Sequence, residues 1–436
     1  MIQELLSGNP YQGYVYSYPH KTAYRTFTTP IPLQQLWENE DTNALFLYIH
    51  IPFCEMRCGF CNLFTIANPK EDQVSRYLKA LSQQARITKD AVGKATFAQM
   101  AIGGGTPSFL EVSELEQLFE IVETIGATPA AIPVSFEVSP KTITAEKLQL
   151  LHQKGVDRIS MGIQSFLEAE VKALGRPQKN REVFQALELI KRQMFPTLNI
   201  DLIYGGVEQT ISSWLTTIQT AIQFQPEEIY LYPLYVRPLT GLEKLGMDWD
   251  NFRLGLYRAG RDYLLSNGYQ QISMRMFRSV RVPISPAHYR CQEDGMIGLG
   301  AGARSYTSQV HYSTEYAVGR KGVKGILNSY IESPPAEFTG ARYGIMLNED
   351  ERKRRFLIKS LIHSEGLDLH RYTQLFHTRI WADFPELKAL EEQQLAVQTA
   401  AGVLRLTPAG LERSDAIGPW LYSFATQQLM QQYELQ

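Results

Sequence analysis

The sequence predicts an α/β protein: a partial (β/α)6-type barrel with an N-terminal arm before it and a small winged-helix-like domain after it. Six short β-type runs alternate with helical-period stretches between residues 44 and 234. Alternation at that spacing implies parallel strands joined by right-handed helical crossovers. Three clustered cysteines follow the first run, in the loop where barrels of this kind place active-site groups. Past residue 310 the alternation fades into charged, helical text.

Residues 1–44 hold Tyr11, Tyr14, Tyr16, Tyr18 and Tyr24, interrupted by Pro30 and Pro32, and read as an ordered but irregular arm. The β-type runs are ALFLYIHI (44–51), AQMAIG (98–103), PVSFEV (133–138), DRISMGI (157–163), TLNIDLIYG (197–205) and EEIYLYPL (227–234). Helical stretches at 72–87, 112–124, 144–153, 180–194 and 211–223 separate them. In 112–124 the residues Val112, Leu115, Leu118, Phe119 and Val122 fall at i, i+3, i+4 spacing and share one face. Ser113 ahead of Glu116 and Thr144 ahead of Lys147 are the expected caps. A helix (252–266) and a polar-aromatic strand (269–277) come next. The tail carries the charged run EDERKRR (349–355) and ends in AVQTAAGVLRLTPAGLERSDAI, which reads as helix, two short strands and helix. The expected organisation is an arm over 1–44, a barrel over 45–310 and a C-terminal domain over 311–436.

Composition narrows the function. With 44% hydrophobic and 20% charged residues, a chain of 436 residues buries a large core. Lysine plus arginine is 43 against 45 acidic residues, so no basic surplus favours nucleic acid as the partner. No apolar run approaches the ~18 residues that span a bilayer. MIQELLSGNPYQGY has no basic segment or apolar stretch of a secretion signal, so a cytoplasmic protein is expected. Three of the four cysteines lie within eight residues, which favours a metal or redox centre over a disulfide framework.

The cluster is YIHIPFCEMRCGFCNLF, giving Cys54-x3-Cys58-x2-Cys61, with Cys291 far away. Three thiolates so spaced can hold one soft metal centre, although three merely structural cysteines stay open as a reading. Zinc normally takes four ligands in pairs; His50 is near, but the second pair is missing. A [4Fe–4S] cubane normally takes four thiolates. Three leave one iron free to bind and reduce a ligand.

CxxxCxxC with an aromatic residue, Phe60, before the last cysteine resembles the signature of the radical S-adenosylmethionine (SAM) superfamily. YIHIPFC, GGGTPSFL, SFEVSP, GVDRISMGIQSF, LGRPQ and IDLIYG are similar to successive motifs of the oxygen-independent coproporphyrinogen III oxidase family. That family also includes haem chaperones, haem-degrading methyltransferases and cyclopropane-forming enzymes. The similarity spans about 48–306, and LTPAGLERSDAI resembles the family's C-terminal domain.

The resemblance implies a [4Fe–4S] cluster on Cys54, Cys58 and Cys61, with SAM on the open iron. It implies an electron donor such as flavodoxin or ferredoxin and a small-molecule substrate of the tetrapyrrole kind. It places Tyr48, Phe60, Gly103, Gly104, Gly105, Thr106, Glu137, Gln164, Arg176 and Asp201 around the cofactor. Glycines admit close backbone approach, and carboxylate, amide and guanidinium groups suit the polar ends of SAM. One electron passed to the sulfonium then leaves methionine and a 5′-deoxyadenosyl radical, which takes a hydrogen from the substrate. In the prototype oxidase a propionate loses that hydrogen, carbon dioxide and an electron, and becomes a vinyl group.

Three features bear on the branch. The arm YVYSYPHKTAYR resembles the tyrosine-proline segment that covers the prototype's active site, and His20, Lys21 and Arg25 are candidate partners for substrate carboxylates. Arg237, Arg275, Arg278 and Arg281 offer further cations. The prototype has one more cysteine just after its third; this chain reads CNLF there. HYRCQEDGMIGLGAGARSY (288–306) has His288 and Tyr289 but not the HNxxYW motif of the haem chaperones. Cys291, in that segment, is either a small buried hydrophobe or a thiol facing the reaction chamber. The expected activity is a coproporphyrinogen dehydrogenase-like oxidation in tetrapyrrole metabolism. A methyl- or methylene-transferring branch and a haem-binding carrier are the alternatives.

Overall fold

In the computed structural model the chain is described over residues 2–236, 239–242, 250–283 and 289–434, so Arg237 and His288 lie outside the described residues. Six parallel strands form the barrel: β1 (Leu45–Ile51), β2 (Phe97–Gly104), β3 (Val134–Val138), β4 (Arg158–Gln164), β5 (Thr197–Tyr204) and β6 (Glu228–Pro233). Each pairs with the next in chain order. The crossovers run through α1 (Gln73–Val92), α2 (Val112–Ile125), α3 (Ala145–Gln153), α4 (Asn180–Gln193) and α5 (Ile211–Gln223).

Strand periodicity sorts the side chains. Leu45, Leu47, Ile49 and Ile51 of β1 are fully buried, whereas the intervening Phe46, Tyr48 and His50 line an interior chamber. On β5, Ile200, Leu202 and Tyr204 enter the core while Asp201 and Ile203 face the chamber. In α2 the buried set includes Leu115, Leu118, Phe119 and Val122, as the spacing predicts. Its start differs from expectation. Ser113 lies inside the first turn, and the Glu114 carboxylate instead accepts the Glu111 backbone N–H at 2.8 Å. Thr144 caps α3 as expected, its hydroxyl accepting the Lys147 N–H at 3.2 Å.

The sheet continues past both barrel edges to thirteen strands and stays open. The expected strand over 269–277 is a hairpin, Tyr269–Gln271 and Met276–Ser279, whose second strand runs antiparallel to β6. Ser273 breaks it: its hydroxyl accepts the N–H groups of Arg275 and Met276 at 3.3 and 3.1 Å, a side-chain turn that competes with the ladder. Beside β1, Met296–Leu299 runs parallel, and Arg304–Tyr306, Val310–Ser313 and Gly340–Met346 follow antiparallel. The last strand is Arg25–Pro32, so part of the arm is regular after all. Pro30 and Pro32 are tolerated because this is the sheet's outermost strand.

A second core joins Phe356, Leu361, Tyr372, Phe384 and Leu404 to Leu5, Val15 and Tyr18 of the arm. Around it, Leu367–Asp368, Val403–Leu406 and Ala396–Gln398 form a three-stranded antiparallel sheet flanked by helices, the winged-helix-like arrangement expected. The Tyr18 hydroxyl bonds the buried Glu351 carboxylate, which also accepts from Thr426 at 3.1 Å. The arm is thereby fastened to the C-terminal region. No described helix is long and apolar enough to cross a membrane.

Candidate functional site

β1 delivers the chain to Phe53–Cys54, a short strand paired with Ile66–Ala67. That pairing closes the cysteine loop at its base. Near the tip, the Cys61 N–H donates to the Cys58 carbonyl at 3.1 Å, and Gly59 bonds Gly175 at 3.3 Å and Leu242 at 3.1 Å. A Cβ on Gly59 would stand 2.9 Å from the Leu174 carbonyl oxygen, so only glycine lets the loop seat there. The Thr106 hydroxyl donates to the Cys54 sulfur at 3.6 Å, and the Arg176 guanidinium donates to the Cys58 sulfur at 3.3 Å.

Burial pushes the Cys54 thiol up to about 12 and raises that of Cys61 as well. Without a positive centre these two sulfurs keep their protons, so a metal group must displace them. No three His, Cys, Asp or Glu side chains among the described residues gather tightly enough for one ion. A cubane makes no such demand, because each thiolate takes a different iron. Three free thiols on one locked loop, with a hydroxyl and a guanidinium donating to sulfur, fit such a group.

The loop opens on a chamber of about 1180 Å³. That exceeds the roughly 300–1,000 Å³ of a typical single small-molecule site. Tyr48, Phe60, Cys61, Glu137, Gln164 and Asp201 line it, as do His20, Lys21 and Cys291. Tyr14 and Tyr16 of the arm and Trp420 and Tyr422 of the C-terminal region complete the wall. Gln164 reaches it through an unusual backbone: the β4–β5 register shifts between Gly162 and Gln164, and Gln164 has φ 70°, costly for a non-glycine residue.

Glu137 lines this chamber and is exposed there, and the Gly104 N–H donates to it at 3.0 Å. Burial pushes its carboxyl up to about 7, and Asp201 likewise to about 6. Burial also holds His50 at about 4, so its imidazole is neutral. The Phe64 carbonyl, 2.8 Å from Nε2, can only accept, which puts the ring proton there. Nδ1 is then the acceptor for the Tyr48 hydroxyl at 3.2 Å, leaving that oxygen's lone pairs for a ligand donor.

Other expected site residues stand elsewhere. A Cβ on Gly103 would lie 2.7 Å from the Glu137 carboxylate, one on Gly104 2.5 Å from His50, and one on Gly105 2.9 Å from the Cys54 sulfur. These glycines admit neighbouring protein groups, and the Gly105 and Thr106 amides are taken by Ile51 and Phe53 carbonyls at 2.8 Å. Arg176 is spent on Cys58, the Gly162 carbonyl and Gln178. Arg25 turns away from the chamber and donates to the carbonyls of Thr22, Tyr24 and Leu429. Arg275 pairs with Asp415, Arg278 with Glu228, and Arg281 bonds Ser279. The sequence reasoning missed Arg304, which lies in the quoted GLGAGARSY segment and lines the chamber. A lone arginine after a glycine-rich turn carries no signal until the sheet places it.

The radical SAM superfamily profile matches residues 48–221, and the HemN C-terminal domain profile matches 347–412. The chain is 27% identical to the oxygen-independent coproporphyrinogen III oxidase of Synechocystis sp., over 91% of this chain and 87% of that protein. It is 25% identical to the heme chaperone HemW of Bacillus subtilis, over 86% and 98% respectively. Among solved structures, it resembles coproporphyrinogen III oxidase (HemN) from Escherichia coli with a TM-score of 0.80, covering 93% of this chain and 96% of that one at 24% identity. The chain belongs to the radical SAM superfamily, in the HemN/HemW family of oxygen-independent coproporphyrinogen III oxidase-like proteins.

Proposed function

We propose that this protein is a radical SAM oxidoreductase acting on an acidic tetrapyrrole in the manner of the coproporphyrinogen III oxidases. The observation that supports this is one chamber onto which a cluster cysteine, two carboxylates and a tyrosine-rich arm all open. On this reading Cys54, Cys58 and Cys61 hold a [4Fe–4S] cluster, and Tyr48, Phe60, Glu137, Gln164 and Asp201 hold SAM beside it. Together, when bound, the two groups supply a one-electron oxidation that begins with abstraction of a substrate hydrogen. The chain's own residues bind, orient and shield. Tyr48, fixed by His50, accepts from a ligand amine or hydroxyl, and Glu137 and Asp201 oppose the cationic end of the cofactor. Tyr14 packs on Tyr16 at 5.3 Å and on Tyr232 at 6.1 Å, which closes the arm side against water.

The test is anaerobic reconstitution with iron and sulfide, followed by electron paramagnetic resonance with and without SAM. The expected result is a cluster signal that changes on adding SAM, with 5′-deoxyadenosine formed. Carbon dioxide and vinyl groups then mark the oxidase reaction, whereas a methylated product with S-adenosylhomocysteine marks the transferase branch. The HemW relatives support a second reading, a haem carrier. A Soret shift at stoichiometric haem without SAM cleavage would replace the oxidase proposal by that one.

The two raised carboxyls give a further check. Both are partly protonated near pH 7 in the ligand-free chamber, and a bound cation favours their ionised forms. SAM binding at pH 7 is therefore expected to release protons, and at pH 8.5 to release almost none. Calorimetry in phosphate and Tris buffers reads the difference. Glu137→Gln should remove most of the release at pH 7. The same shift bears on stability: the folded pKa lies above the unfolded one, so stability falls as pH rises through that window.

A further inference from the structure

We infer that Lys21 and Arg304 together form an anion anchor in the chamber wall, which fixes one carboxylate of the substrate and selects acidic ligands over their neutral esters. The inference rests on the proposed function only in taking the chamber as the substrate site.

Lys21 begins a short 3-10 turn in the arm, and Arg304 begins a strand inside the sheet, between Met296–Leu299 and Val310–Ser313. The fold brings both to one chamber. Among the described residues neither has an ion-pair partner. The Lys21 ammonium stands 3.7 Å from the Tyr316 ring centre, over its π face. Arg304 lies over the Tyr16 ring at 4.6 Å and gives one hydrogen bond, to the Ser17 hydroxyl at 2.8 Å. By contrast, Arg158 and Arg278 share Glu228, and Arg275 has Asp415.

Two enclosed cations without an anion are costly, and more so when they face each other. Burial, then the charge of Arg304, depresses the Lys21 ammonium, against a smaller opposing pull from Cys61. An anion between them would relieve both costs. A carboxylate suits the site because the guanidinium offers a planar donor fork and the ammonium a point charge. The aromatic faces of Tyr16 and Tyr316 lie beneath the two cations, where the flat body of a macrocycle can pack. Charge also sorts the two ligands: Glu137 and Asp201 repel an acid and attract a cationic cofactor, while Lys21 and Arg304 do the reverse.

The experiment measures binding of coproporphyrin III and of its tetramethyl ester to the full chain by fluorescence quenching, with SAM affinity measured in parallel. Wild type is expected to prefer the acid by at least about tenfold, and Lys21→Met and Arg304→Gln should each cut that preference by about tenfold. Arg304→Lys should keep most of it. SAM affinity should stay unchanged in all three. No preference in wild type, or the same preference in both charge-removing variants, overturns the anchor. A fall in SAM affinity in place of porphyrin affinity also overturns it, assigning the pair to the cofactor's carboxylate. Should Arg304→Gln not fold, Lys21→Met on the arm carries the test alone. SAM cleavage needs no anchor, so losing the acid preference leaves that reaction standing, and the converse failure leaves the preference standing.

Discussion

Replacing Cys58 with alanine is expected to abolish both cluster assembly and SAM cleavage, with cleavage falling at least about a thousandfold. The thiol lies in the loop that Gly59 locks against Leu174 and Gly175, and the Arg176 guanidinium donates to its sulfur. No other described cysteine can take its place, because Cys291 belongs to a separate segment whose carbonyls are held by Arg355. Iron and sulfide content after reconstitution, with 5′-deoxyadenosine formed per chain, checks the effect. Cys291→Ala is the control and should keep cluster and cleavage intact. If Cys58→Ala retained full cleavage, the three-thiolate assignment would be lost with it.

The sequence displays this site unevenly, and the physical reason differs from residue to residue. The cysteine spacing is local, so Cys54, Cys58 and Cys61 are legible without any fold. Tyr48 and Asp201 are legible once a strand is recognised, because a period of two decides which side chains leave the helix layer. Glu137 is legible as a strand-end carboxylate, although its raised pKa comes from enclosure that no sequence pattern records. Arg25 and Arg304 show the limit. Both are single arginines near tyrosines, yet one is consumed by backbone carbonyls, two of them local and one from Leu429, while the other faces the chamber. Which of them is free depends on contacts hundreds of residues apart in sequence. The same holds for the arm, where a proline-interrupted run becomes a strand only because the strand Gly340–Met346 offers it an edge.

Asp415→Ala is expected to destabilise the protein by about 3–5 kcal/mol, because it strands a buried cation. Asp415 is 1% exposed and Arg275 6%. The carboxylate takes the Arg275 guanidinium and the Tyr235 hydroxyl, and the same residue's carbonyl accepts the Gly13 N–H at 3.0 Å. Arg275 in turn lies 3.9 Å from the centre of the Tyr14 ring, on the arm. Barrel, C-terminal region and arm therefore meet at one ion pair. A lowered thermal midpoint and faster proteolysis of residues 1–44 would show the expected loosening. Replacing both charges with apolar residues, Arg275→Met with Asp415→Leu, separates stability from positioning. A buried pair so replaced usually regains most of the lost stability. The double variant, unlike Asp415→Ala, lacks the cation over Tyr14, so its porphyrin affinity should fall below that of wild type even as stability returns. Recovery of both stability and affinity would mean that the pair only holds the fold, and that Tyr14 finds its place without it.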